Sequence, residues 1–221
     1  MTRANNWPPS GANNCAPNSR MWRHGASTSA VYSGPYTTWN PSDKGPHIAL
    51  SNGNLTMSSD TVGVYNIVRA ITAFDPTKKQ AFEFIVTGVP TNGGDYTLVG
   101  IATASASLTN FVGSDAYGYG YHGYNSGGNG NGLFWHSGAS VPKSGSYTVG
   151  SVVTVQVNGP AKTMTVKIDG YVTGVNAYDI SSVVGPFYAA ATMYSSVNAV
   201  VANFGQSAFQ HVDAGYEGIP L

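Results

Sequence analysis

The stretch Val197-Asn-Ala-Val-Val-Ala-Asn-Phe-Gly-Gln-Ser-Ala-Phe209 decides how the rest of the chain is read. Val200 and Ala202 alternate with Val201 and Asn203, and Phe204-Gly205-Gln206 close the run. Period-two apolar residues ending in an aromatic and a glycine predict a buried strand followed by a tight bend. Gly205 supplies backbone freedom at the bend, and the Gln206 amide is suited to tie it to neighbouring backbone.

Working outward, strand-like segments bounded by turn residues recur from His47 onward. Ile48–Leu50 and Leu55–Met57 flank Ser51-Asn-Gly-Asn54 and predict a hairpin turning at Asn52-Gly53. Tyr65–Ile71 reads as a second short strand pair. Gln80–Val86 places Phe82, Phe84 and Val86 on one face and Glu83 on the other, where a solvated or locally paired carboxylate is expected. Asn92-Gly93-Gly94-Asp95 is a turn, and Tyr96–Ala102 is a buried strand. In Phe111–His122, Tyr117, Tyr119 and Tyr121 share a face, with Gly118 and Gly120 between them. Asn125–Gly132 is a Gly/Asn loop before Leu133–His136. Tyr147–Val157 and Thr163–Ile168 are strands joined at Asn158-Gly159-Pro160, and Phe187–Met193 leads into the closing pair. No segment holds a helical period beyond two turns, and no fixed-period repeat is present. Many short strands with turns at this spacing predict an all-β fold, a sandwich or a barrel.

Residues 1–45 are different. Pro and Gly punctuate them without a strand or helix period, yet they carry Trp7, Met21, Trp22, Tyr32, Tyr36 and Trp39. Ordering such a segment needs buried apolar area to offset its entropy. The expectation is an extended N-terminal arm over 1–45, anchored through Trp7, Trp22 and Trp39, and a sandwich over 46–221. The arm either wraps its own domain or docks on another chain.

Composition narrows the function. Charged residues are only 9% of the chain, against about 25% in an average soluble protein. Lys+Arg and Asp+Glu balance at 10 each, so no large basic patch exists and nucleic acid is not an expected partner. No apolar run approaches a membrane span and no signal-peptide pattern opens the chain, so no membrane insertion is expected. The single Cys15 has no internal partner for a disulfide and no nearby base, so it reads as an incidental thiol. Most carboxylates lie in turn sequences such as Gly94-Asp95-Tyr96 and Ile168-Asp169-Gly170, and none stands out as a glycosidase pair. The five histidines lack metal spacing, and there is no nucleophile elbow or phosphate loop. No catalysis, cofactor or metal is therefore expected. The best contact candidates are Tyr121, His122, Tyr124, Asn125, Trp135 and His136 around the Gly-rich loop. Aromatic rings give rigid area there, Asn and Gly give adaptable hydrogen bonding, and such faces suit sugar rings. The competing reading is that Tyr117, Tyr119 and Tyr121 form an ordinary strand face, with the glycines allowing close sheet packing.

The order of these segments resembles the SPRY (B30.2-like) domain. Gln80-Ala-Phe-Glu-Phe84 is similar to its aromatic-Phe-Glu strand and Val99-Gly-Ile-Ala102 to its Val-Gly-Ile-Ala strand. Leu108 and Gly113–Tyr119 resemble the approach to its Tyr-Gly-Tyr strand. Met164–Gly170 stands where the family has its Asn-Gly hairpin. Phe187-Tyr-Ala-Ala190 resembles its Tyr-Pro-Ala strand, and Ala202–Phe209 its closing Asn-Phe-Gly-Gln motif. Two departures remove carboxylates: Gly150-Ser151-Val152 replaces Gly-Asp-Val, and Val157-Asn158 replaces Leu-Asp. Thr38–Asp43 leading into Ile48–Leu55, and the Asp213–Tyr216 tail, resemble SPRY-like domains of bacteriophage virion and tail proteins.

The resemblance implies an all-β, antiparallel β-sandwich of jelly-roll-like type, a binding module whose rim loops grip a partner. On this reading the chain is a non-enzymatic, particle-associated virion protein. It is expected on a tail or fibre in host recognition, with the arm bound to other virion proteins and the loops presented to a host-surface glycan or protein. A homo-oligomer is compatible with that placement. The alternatives are a capsid decoration protein and, third, a carbohydrate-active enzyme on a jelly roll.

Overall fold

The computed structural model describes residues 34–88, 97–123, 131–174 and 177–221. Among these residues every regular element is a strand. The strands are β1 (Trp39–Lys44), β2 (Ile48–Ser51), β3 (Thr56–Ser59), β4 (Asn66–Ala73), β5 (Lys79–Gly88), β6 (Leu98–Ala102), β7 (Gly118–His122) and β8 (Asn131–His136). They continue with β9 (Ala139–Ser144), β10 (Val152–Asn158), β11 (Thr163–Ile168), β12 (Tyr171–Val172), β13 (Tyr178–Asp179), β14 (Tyr188–Met193) and β15 (Ala199–Asn203). Two antiparallel sheets result. One runs β1-β4-β14-β6-β7-β8-β9. The other runs β12-β11-β10-β5-β15-β3-β2, with β13 also on β11.

The alternation read in the sequence becomes the inner faces. Phe82, Phe84, Val86, Val153, Val155, Val157, Val200 and Ala202 meet Val99, Ile101, Tyr119, Tyr121, Ala189 and Ala191 in one core. The opening stretch is β15 and its bend, paired with β5 on one side and β3 on the other. Phe204 stacks on Phe82 with ring centroids 5.7 Å apart and meets Trp39 edge-on at 5.0 Å. Gly205 has φ 123, and a Cβ there would collide with the Tyr36 ring. The Gln206 side chain accepts from the Phe204 N–H at 2.6 Å and donates to the Thr37 carbonyl at 3.1 Å. The bend is thus tied as its residue types require.

Several elements differ from the sequence reading. The sequence pattern places Trp39 in the arm as an anchor, but it belongs to β1 and is wholly buried in the sandwich core. Its ring fills the space against Phe82 and Phe204, which no local pattern announces. Tyr65–Ile71 is not a strand pair but the start of one eight-residue strand, β4, whose first five residues are all buried. Only Gly118–His122 of the expected Phe111–His122 segment is strand. Tyr117 precedes it and is exposed, while Tyr119 and Tyr121 face the core. The hairpin at Asn52-Gly53 forms as expected, with positive φ at Asn52, Gly53 and Asn54. Trp7, Trp22 and Cys15 lie outside the described residues.

Both sheets are covered on their outer faces by irregular chain. Residues 103–117 cross the seven-stranded sheet. Arg69 donates to Ala106 O at 2.8 Å and to both Asp43 oxygens at 2.6 and 2.8 Å. The Val112 N–H bonds Thr192 Oγ1 at 3.0 Å, and Ile67, Ala102, Ala106, Val112 and Ala190 form a second small core beneath. The C-terminal segment crosses the other sheet and is held by Glu83. Only 1% exposed, that carboxylate accepts the Gln210 and His211 N–H groups at 2.9 and 2.7 Å and the Thr154 hydroxyl at 3.1 Å. Glu83 is the locally paired carboxylate of the two options read from the sequence. The carboxylate missing from Gly150-Ser151-Val152 comes from across the hairpin instead. Asp169 accepts the Val152 N–H at 2.8 Å and the Ser151 hydroxyl at 3.1 Å.

Candidate binding site

Antiparallel pairing sets which residues share an end of the sandwich. Asn66 of β4 stands opposite Met193 of β14, so Tyr65 and Tyr194, one step beyond each, emerge together. Their rings lie 4.5 Å apart. Phe111, carried over the sheet by residues 103–117, packs on Tyr65 at 5.1 Å and edge-on to Trp135 of β8 at 5.0 Å. Trp135 reaches this outer side because it pairs with Gly120, which has no side chain to block it. A Cβ on Gly120 would overlap the Val112 carbonyl, so this glycine is also what lets the covering loop approach. All four rings are half-buried, and Val62, Val64 and Val197 stand exposed in the flanking loops. The Trp135 indole N–H is shielded from solvent without a protein acceptor. A contiguous aromatic surface of this kind is able to bury a partner's apolar or ring surface.

The six residues expected from sequence divide differently. Tyr121 is wholly buried, and its hydroxyl is shared between the Ser144 and Gly145 carbonyls at 2.8 and 2.5 Å. It is a core residue and not a contact residue, because β7 turns its odd-numbered side chains inward. Burial pushes its phenol well above the ordinary range, with the nearby Tyr178 adding to the shift. His122 faces outward but is buried, at 5% exposure. His136 stacks on Tyr119 at 4.2 Å and 12°, and its Nδ1 lies 2.9 Å from the Gly118 carbonyl. Trp135 is the one of the four described that joins the aromatic surface. Tyr124 and Asn125 lie outside the described residues, in the connection from β7 to β8, which leaves the sheet at this same end.

Tyr65, Phe111 and Tyr194 were missed by the sequence reading. Each sits just outside a strand or within a loop, and only the β4-β14-β6-β7-β8 order brings them together.

The described carboxylates are all engaged. Besides Glu83, Asp43 and Asp169, Asp115 accepts the Ser107 and Tyr117 N–H groups, Asp75 the N–H and hydroxyl of Thr77, and Asp179 the N–H of Ser181. Asp60 meets His47, Asp213 meets Lys167, and Glu217 meets Lys78. Among the described residues no group of three His, Cys, Asp or Glu is placed to hold a metal ion.

Among solved structures, the SPRY domain of human HERC1 superimposes with a TM-score of 0.61 at 17% identity, covering 77% of this chain and 99% of that one. The fold is that of a SPRY domain. The TRIM65 PSpry domain gives 0.57 at 9% identity over 76% of this chain and 92% of its own. A further human SPRY domain gives 0.58 at 14% identity over 74% and 98%. No protein-family model matches the chain.

Proposed function

We propose that this SPRY-like sandwich is a non-enzymatic binding module of a bacteriophage particle, a tail- or fibre-associated protein that recognises the host surface. The observation that carries the binding role is the aromatic surface of Tyr65, Phe111, Trp135 and Tyr194 at one end of the sandwich. Supporting it, every described carboxylate is spent on structural bonds. The phage setting rests on the likeness of Thr38–Asp43, Ile48–Leu55 and Asp213–Tyr216 to virion and tail SPRY-like domains. Large half-buried rings are the side chains that dominate binding energy at interfaces.

The test applies labelled full-length protein to bacterial cells and, separately, to purified phage shells. Binding to cells is expected, falling at least tenfold in Trp135→Ala and in Tyr194→Ala, with the melting midpoint of each within a few degrees of the parent. Binding to bare shells alone would replace host recognition by capsid decoration. Release of shortened polysaccharide would replace it by a carbohydrate-active enzyme. Native mass spectrometry adds the assembly state, since tail fibres use closed symmetry.

A further inference from the structure

The opposite end of the sandwich carries a second feature that the aromatic surface does not use. The β4–β5, β10–β11 and β13–β14 connections enclose a cavity of about 550 Å³. Its walls are mainly apolar, with Phe74, Val157, Ile180, Val183 and Phe187 lining it and Val184 at 95% exposure on its rim. A cleft of this size is enough for one or two large side chains.

Two observations indicate what covers it. The first is where the described chain begins. Thr37 Oγ1 accepts the Thr72 N–H at 3.0 Å, two residues before the cavity wall at Phe74. Leu221 N–H bonds Pro35 O at 2.9 Å, and the neighbouring Gly218 carbonyl accepts from Gln80, whose Oε1 holds the N–H of Asp75, another lining residue. The 33 residues before Gly34 therefore join the sandwich at the cavity end. At roughly 3.3–3.6 Å per extended residue, ten of them suffice to cross it. The second is charge. Residues 1–33 hold Arg3, Arg20 and Arg23, three of the ten Lys and Arg, and none of the ten acids. Residues 34–221 are left with seven bases against ten acids. The cavity wall itself carries both signs, Asp75 and Lys162, so the complementarity lies between the segment and the sandwich as a whole.

We propose that the cavity bounded by Phe74, Val157, Ile180 and Phe187 is the seat of an apolar side chain from residues 1–33 of the same chain, which offer Trp7, Met21, Trp22 and Tyr32. The sandwich would then be tethered at this end and free to bind at the other.

The experiment places the photocrosslinking residue p-benzoyl-phenylalanine at position 184 of the full chain, and at Tyr171 as control. Tyr171 is 81% exposed on β12 and outside the cavity lining. Both positions are exposed enough that neither replacement threatens folding. On irradiation, the expected product from position 184 has the mass of one chain and carries a link to a peptide within residues 1–33. The control gives at least tenfold less of it. Val184→Asp in the full chain should also speed trypsin cleavage after Arg20 and Arg23 by about tenfold. No link to residues 1–33 above the control overturns the proposal, and so does a product found only at the mass of two chains.

Discussion

Glu83 shows how a single side chain closes one face of the molecule. A charged carboxylate with 1% exposure survives in a sheet only if its acceptor sites are filled. Two backbone N–H groups and one hydroxyl fill them here. Replacing it with alanine removes the acceptor of the Gln210 and His211 N–H groups and leaves the wholly buried Thr154 hydroxyl unpaired, at about 1–3 kcal/mol for that buried group. Glu83→Ala should therefore lower the urea midpoint and speed hydrogen exchange at those two amides; unchanged exchange there would refute the anchoring role. The buried tyrosines carry the pH dependence. Burial raises the phenol pKa of Tyr119, Tyr121 and Tyr178 above the ordinary value of about 10. The folded state thus favours the neutral phenol, so this contribution is whole below pH 10 and is lost as pH rises toward the raised folded values. The melting midpoint should fall steeply above pH 10, with phenolate absorbance from these residues appearing only on unfolding. Phenolate formation assigned to these three residues at pH 10 in the folded protein would contradict it.

At the scale of elements, the covering loop of residues 103–117 depends on a glycine in the strand beneath. Gly120 lets the Val112 carbonyl sit directly on β7. Gly120→Ala forces loop and strand apart, at about 1–3 kcal/mol. Because Phe111 rides on that loop against Trp135, the indole should also become more solvent-exposed and its emission shift to the red. A stable variant with unshifted emission would show that the loop is not seated by this contact. Of the two readings of the Tyr-Gly-Tyr-Gly-Tyr run, the strand face with close-packing glycines describes Tyr119 and Tyr121, which are core, and Gly120, the point of close approach, while Tyr117 lies outside the strand. The contact role expected for Tyr121 fails because alternation names the face of a strand without saying which face is inside.

For the whole molecule, the two ends of the described chain meet. Thr37 N–H bonds Ile219 O, Ile219 N–H bonds Phe204 O, and Ile219 is wholly buried. Truncation after Gln206 removes Ile219, the partners of Glu83 and the Asp213 partner of Lys167 together. The cooperative urea transition should disappear, since these losses together rival the 5–15 kcal/mol by which proteins are usually stable. A truncated chain that still unfolds cooperatively at a similar midpoint would mean the C-terminal segment only decorates the sheet.

The sequence by itself determined the all-β class, the hairpin at Asn52-Gly53, the strands around Phe82, Ile101, Val155 and Val200, and the bend at Gly205-Gln206. Each is set by a period-two pattern or by turn chemistry within a few residues, and such signals are local. Tertiary structure alone decided that Trp39 is core and that Tyr65, Phe111, Trp135 and Tyr194 form one surface. It likewise decided that Asp169 serves the turn whose own carboxylate is missing. Those facts depend on which strands become neighbours, and strand order is fixed by how two whole sheets bury their apolar faces against each other.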